Sequence, residues 1–204
     1  LATLVAVDVS ETPEGQVSLS VDGQLLVTNG KARPVTLDTQ PDAALGLLGY
    51  DKVVLLSPTG RELNVKGGEL AADLEALSET IPDGRRDLDN VASELATQVN
   101  QVHRNGVGLD GSTGNDLFLV GPASGMLSVS ADVAGQPDKL GAAAAGAGQF
   151  DDENARELAQ LADDAAGPLI AFVESVGSLA VRVAAANGTA DAASAASAQA
   201  DSLA

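Results

Sequence analysis

The chain has no cysteine and no tryptophan, a single histidine (His103), and aromatic residues at 2% of its 204 positions. Without cysteine there is no disulfide, no thiol nucleophile and no Cys-ligated zinc. One histidine excludes a multi-histidine metal centre within one chain, and so few aromatics leave stacking platforms and aromatic sugar-binding walls poorly supplied. Positive charge is also scarce: 11 Lys and Arg stand against 29 Asp and Glu, giving 11 − 29 = −18. Nucleic acid and anionic membrane surfaces are disfavoured partners, because both demand a cationic face. No basic segment precedes an apolar one as in a cleavable signal peptide, and no uncharged apolar run of about 20 residues predicts a membrane span. The sequence opens at Leu1 and closes in an alanine-rich pattern, and reads as an excerpt of a longer protein. Most of the equipment of enzymes is missing, so the chain reads as one that holds something rather than converts it.

What is present divides by period. Val5, Val7 and Val9 alternate with Ala6, Asp8 and Ser10, and Val17, Leu19 and Val21 alternate with Ser18 and Ser20, the pattern of half-buried strands. Pro13-Glu14-Gly15 predicts a turn, and Asp22-Gly23 a type I′ hairpin leading into Leu25-Leu26-Val27. Further strands are expected over 34–39, 52–56 and 61–65, the last two joined by Ser57-Pro58-Thr59-Gly60. Residues 1–66 are thus expected to be a β-rich domain and 67–204 a helical one, with an irregular insertion at about 107–150; the fold class is α+β.

Beyond Gly67-Gly68 the period becomes helical. Leu70, Leu74, Leu77 and Ile81 form one stripe, which resumes at Leu88, Val91, Leu95, Val99 and Val102 with heptad-like spacing. Between them Pro82 predicts a kink or short break. Asn105-Gly106 ends the helix, and residues 107–122 read as loop. A strand over 127–131 and a helical turn over 137–145 are expected. Asp151-Asp152 opens a third helix to about Ala162, and Pro168 the first turn of a last one. That last helix carries Leu169, Phe172, Val176, Leu179 and Val183, expected to pack on the two earlier stripes. Its end, 190–202, holds only Ala, Ser, Asp and Gln, with little apolar surface to bury.

Few constellations carry chemistry. Asp110-Gly111-Ser112-Thr113-Gly114-Asn115-Asp116 begins like a calcium loop, but Gly114, Asn115 and Gly121 stand where an oxygen ligand, the glycine and the bidentate Glu are needed. It reads as a polar turn. His103 lies near Asp110 and Asp116 in sequence, yet no G-x-S-x-G or other nucleophile motif accompanies it. A structural histidine fixing the helix end to the following loop is the stronger reading. No catalytic, cofactor-binding or metal-ligating residues are assigned.

One segment is specific. Gly67-Gly68-Glu69-Leu70-Ala71-Ala72, Ile81-Pro82, Asn100-Gln101-Val102-His103-Arg104-Asn105-Gly106, then Leu109-Asp110-Gly111 and Gly114 through Phe118 resemble the bacterial flagellar hook-associated protein 1 family (FlgK, the hook–filament junction). The resemblance covers roughly 67–118, with the strand-rich 1–66 and the closing helix agreeing in kind. Leu77-Ser78-Glu79 departs from the Arg-Asp/Glu pair common before Ile-Pro in that family.

The resemblance implies that Asn100, His103, Gly106, Asp110, Gly111, Gly114 and Phe118 are structural signature residues. It also implies a flagellar structural subunit, not an enzyme, without a cofactor. Its partners would be copies of itself, hook protein, the neighbouring hook-associated protein and an export chaperone. It would act outside the cell, exported by the flagellar type III route without a cleaved signal. The seam Leu95, Val99, Val102, Leu169, Phe172, Val176, Leu179 and Val183 would then serve helix packing or assembly. The excerpt alone is expected to be monomeric, since −18 charges repel. Two other readings are an adhesive or receptor-binding module using the β-rich part, and a hydrolase with a His103–Asp centre.

Overall fold

A computed structural model describes residues 4–13, 15–121, 127–148, 150–164 and 167–203. Glu14, in the first expected turn, lies outside them. The chain divides into two compact units, Leu1–Arg86 and Asp87–Ala204, and small antiparallel sheets with helices give the α+β class.

In the first unit, β1 (Asp8–Glu11), β2 (Val17–Val21), β3 (Gln24–Thr28) and β4 (Lys31–Ala32) form a four-stranded antiparallel meander in that order. Asp22 and Gly23 both take positive φ, 49° and 69°, as the type I′ turn requires. Asn29-Gly30 does the same at 52° and 70° and creates β4, a strand the reading of the sequence passed over. β1 starts later than the valine alternation suggests. The Ala6 amide donates to the Lys66 carbonyl and the Leu4 carbonyl accepts from Leu70, so this stretch is already engaged with the start of the helical region.

β5 (Thr36–Gln40) pairs with β6 (Lys52–Leu56). Between them the short helix α1 (Ala43–Gly46) is capped by Asp42, whose carboxylate accepts from the Ala44 and Leu45 amides. The strand expected at 61–65 is not formed. Only Glu62 bridges Leu56 and Leu63 donates to the Leu55 carbonyl. The next amides are diverted, Asn64 to the Asp22 carboxylate and Val65 back to the Leu63 carbonyl. Val5, Val21, Leu45, Val54, Leu55 and Leu63 make this unit's core.

Residues 69–105 are helical without a break. α2 (Glu69–Glu75) passes through a π-helical stretch, Ala76–Thr80, into α3 (Ile81–Asn105). Of the kink or short break expected at Pro82, the break is not formed. The wider π turn, with the Ile81 amide donating to the Ala76 carbonyl, carries the chain into a proline that has no N–H to give. Ser78 Oγ donates to the Leu74 carbonyl at 2.6 Å, and Pro82 is fully buried.

In the second unit, β7 (Phe118–Val120) pairs with β8 (Leu127–Val129), so part of the expected 107–122 loop is strand. The helical turn expected over 137–145 is confined to a 3₁₀ turn, Pro137–Lys139. α4 (Glu153–Gln160) begins after Asp152, which makes no side-chain cap; Asp151 instead accepts from the Ala144 and Glu153 amides. α5 (Pro168–Leu203) runs 36 residues, about 54 Å at roughly 1.5 Å per residue.

α5 contradicts two expectations. Its apolar stripe does not close a three-helix core: Leu169, Phe172, Val176, Leu179 and Val183 are 46–52% exposed. The partly buried positions are instead Ala171, Ser175 and Arg182. Secondly, Pro168–Ala195 is long and apolar enough to cross a membrane, with a mean hydropathy of 1.7 and, Pro168 apart, no buried residue. The demand for an uncharged run overlooked how far Ala, Val and Leu outweigh Glu174, Arg182 and Asp191. Arg182 pairs with Asp87 at 3.1 Å, and a lipid-facing helix would have to strip water from that pair and from Glu174.

Candidate functional site

Among its described residues, the second unit buries an unusual share of polar side chains: Asn100, His103, Ser130 and Asn154, beside Ala96, Val102, Val133 and Pro168. Helical spacing puts Ala96, Asn100 and His103 on one inward face of α3. Buried amide and imidazole groups are costly unless every polar atom finds a partner. Here each does.

Asn100 acts as a staple between α3 and β7. Its Oδ1 accepts from the amides of Leu117 and Phe118, both at 2.9 Å, while its Nδ2 donates to the Phe118 carbonyl at 2.8 Å. One turn later His103, only 2% exposed, works in two directions. Nδ1 faces the Asn115 carbonyl at 2.8 Å, and Nε2 faces the Gly141 amide at 3.0 Å. A carbonyl only accepts and an amide only donates. The proton is therefore assigned to Nδ1, and Nε2 is the acceptor of a neutral imidazole.

The chain crosses itself just beyond. The Gly106 amide donates to the His103 carbonyl, and the Asn154 side-chain amide donates to the Gly141 carbonyl. A Cβ on Gly106 would overlap the Gly141 carbonyl and the Asn154 amide, and one on Gly141 would lie 2.6 Å from the His103 carbonyl oxygen. Two backbones touch here because neither residue has a side chain. Gly68 does the same in the first unit: with φ at +80°, its Cβ would stand 2.6 Å from the backbone of Leu4 and Val5.

The loop after α3 is tied by its own charges. Asp110 accepts from the Ser112 amide at 2.9 Å, and the Ser112 hydroxyl and amide hold its carboxyl below the ordinary aspartate value. Arg104 and Asp116 form an ion pair, which raises the guanidinium further above its ordinary value. Gly111 and Gly114 adopt φ of 81° and 76°, and the Gly114 amide donates to the Arg104 carbonyl. Among the described residues no group of three or more His, Asp or Glu side chains is gathered to hold a metal. Neither Asp110 nor Asp116 reaches His103, whose partners are backbone groups, so the His–Asp pairing considered from the sequence is not formed.

The structure thus brings together Asn100, His103, Gly106 and Phe118, and sets Asp110, Gly111 and Gly114 in the turn that returns the chain to them. Of the seam, Val102 is buried and Leu95 and Val99 partly so, whereas the five α5 members share an exposed face. Sequence reasoning missed Asn115, Gly141 and Asn154. Asn115 contributes through its backbone carbonyl and Gly141 has no side chain, so neither leaves a pattern. Asn154 does: it begins the row Asn154, Leu158, Leu161 on the inner face of α4, a polar residue at an apolar position.

Residues 1–118, more than half of the chain, match the family model described as the flagellar hook-associated protein FlgK helical domain. No curated protein matches the chain.

Proposed function

The chain belongs to the family of the flagellar hook-associated protein FlgK, a structural family of the bacterial flagellum, and from that premise we propose that it is the junction subunit that joins hook to filament. The exposed stripe Leu169, Phe172, Val176, Leu179 and Val183 carries this reading within the structure. It runs four turns along a helix whose neighbouring face carries the partly buried Ala171 and Ser175 and the Arg182–Asp87 pair. Apolar surface of this extent is a cost in water that burial against another helix removes, at about 25 cal/mol per Å².

In this reading the knot around His103 keeps the end of α3 rigid, and α5 supplies the seam to neighbouring copies, hook protein and the adjoining hook-associated protein. The monomer is held by a chaperone before export through the flagellar type III route, without a cleaved signal, and works outside the cell in motility. A strongly acidic surface keeps monomers apart until apolar seams meet.

Deletion and complementation test it. Cells lacking the gene should carry hooks without filaments. The wild-type gene should restore filaments, and Phe172→Asp with Val176→Asp should fail to do so while the purified variant folds normally. Filaments of normal number and length in the deletion strain would refute the junction role.

A further inference from the structure

The four-stranded sheet of the first unit has two unlike free edges. β1 presents Asp8 and Glu11, and all four of its residues are exposed. β4 presents Lys31, followed by Arg33, whose amide still bonds the Leu26 carbonyl. Lys52, Arg61, Arg86, Arg104, Arg156 and Arg182 each hold a carboxylate of the chain. Lys31 and Arg33 make no such pair among the described residues. In a chain of net charge −18, two adjacent cations left over on one strand edge stand out.

The register supplies the second observation. Val9 pairs with Leu19, Leu19 with Val27 and Val27 with Ala32, one apolar row across one face of the sheet. Val9 is 63% exposed where the row reaches the β1 edge. Side chains alternate along a strand, so Asp8, Lys31 and Arg33 belong to the other face. Every pairing is antiparallel, so β4 runs opposite to β1. A second copy displaced sideways would therefore lay its β1 antiparallel to β4. With Val9 opposite Ala32 the apolar row continues, and Asp8 falls opposite Arg33 with Ser10 opposite Lys31.

We propose that the acidic β1 edge of one copy adds to the basic β4 edge of the next. The contact is head-to-tail, so it propagates from copy to copy instead of closing on a two-fold axis. Opposite charges directly across a strand pair favour this register, and like charges penalise β1 on β1 or β4 on β4. The inference rests on the family reading that copies of the chain associate, and its test is separate from filament formation.

The absence of cysteine makes that test clean. Strands lie about 4.8 Å apart, so positions 9 and 32 of one copy are roughly 14 Å apart across the sheet, beyond disulfide reach. Val9→Cys and Ala32→Cys, both exposed positions, are introduced singly into the full 204-residue chain. The two variants are checked for native circular dichroism, mixed at high concentration and equilibrated in a glutathione redox buffer. The 9–32 product should exceed either the 9–9 or the 32–32 product by about tenfold, because pairing raises the effective concentration of those two thiols. Arg33→Asp in the Ala32→Cys chain should cut that yield several-fold, and Asp8→Arg in its partner should restore it. Equal yields of the three products would overturn the edge contact, showing that Lys31 and Arg33 only blunt a strand edge against pairing. A 9–32 excess indifferent to the charge reversals would overturn the Asp8–Arg33 pairing as what selects the edge. Filament formation with equal disulfide yields would leave the junction reading intact while removing this contact.

Discussion

The end of α3 and the length of α5 belong to the same unit and solve opposite problems. At the end of α3 polar side chains are buried, and they bond inside the chain: Asn100 to β7, His103 to Asn115 and Gly141, Asn154 to Gly141. Along α5 apolar side chains are exposed, and the bonds within the helix leave its surface unsatisfied. Hydrogen bonds are directional, so a polar knot fixes one geometry and closes. An apolar stripe is non-directional and accepts any helix of matching shape. A subunit of an assembly needs both, one part that does not change and one that is completed by its neighbours.

The knot is the place to break first. Gly106→Ala forces a methyl group into the Gly141 carbonyl and the Asn154 amide, and backbone cannot yield as a side-chain tip can. The expected loss is about 3 kcal/mol or more, the upper range for overpacking, read by denaturant unfolding. Asn100→Ala comes next. It leaves the Leu117 and Phe118 amides without their acceptor in a partly buried setting, at about 2–3 kcal/mol, with the same readout.

The stripe half of the comparison predicts gains where the knot predicts losses. Gly188 lies in α5 with open space around its Cβ direction, so Gly188→Ala should stabilise the helix by about 0.5–1 kcal/mol. Circular dichroism on heating would register it as a higher helical midpoint, and a loss of stability would mean that something packs there.

The smallest effect is electrostatic. The Asp110 carboxyl is held below its ordinary value of 3.8 by the Ser112 hydroxyl, then the Ser112 amide. A lowered folded-state pKa contributes stability above the ordinary value that is lost as pH falls through the lowered one. Ser112→Ala should move the Asp110 titration back toward 3.8 in a carbon-detected NMR series, with negligible change in stability at neutral pH. A titration that does not move would remove Ser112 from the account.

Much of this was legible because local signals were strong. Asp22-Gly23 demanded a tight hairpin, the Leu–Val periodicity demanded α2 and α3, and the glycines of 105–118 marked a turning chain. The π turn before Pro82 was not legible. A proline rule says only that the ordinary ladder fails there, not that one wider turn can restore it. The strand expected at 61–65 failed because the Val65 amide, next in line for β6 after Leu63, turns back to the Leu63 carbonyl, while Asp22, distant in sequence, holds the Asn64 amide. The candidate site was half legible: Asn100, His103 and Gly106 come with their spacing, while Gly141 and Asn154 sit beyond the matched 118 residues and join only through the fold. On α5 the periodicity picked out a stripe but not its exposure, since a stripe does not say whether anything in the same chain covers it.

The central claim, that the α3 end is completed within the chain and the α5 stripe is not, reduces to one comparison of melting temperatures. Val102 on α3 is buried and Leu179 on α5 is 46% exposed, and each is replaced by aspartate in the isolated chain. A buried aspartate costs several kcal/mol, and each kcal/mol lowers the midpoint by about 2–4 °C in a chain of this length. The account predicts that Val102→Asp falls by roughly 10 °C while Leu179→Asp stays within about 2 °C of the parent. A fall in Leu179→Asp as large as that in Val102→Asp would contradict it, because the stripe would then already be part of the fold.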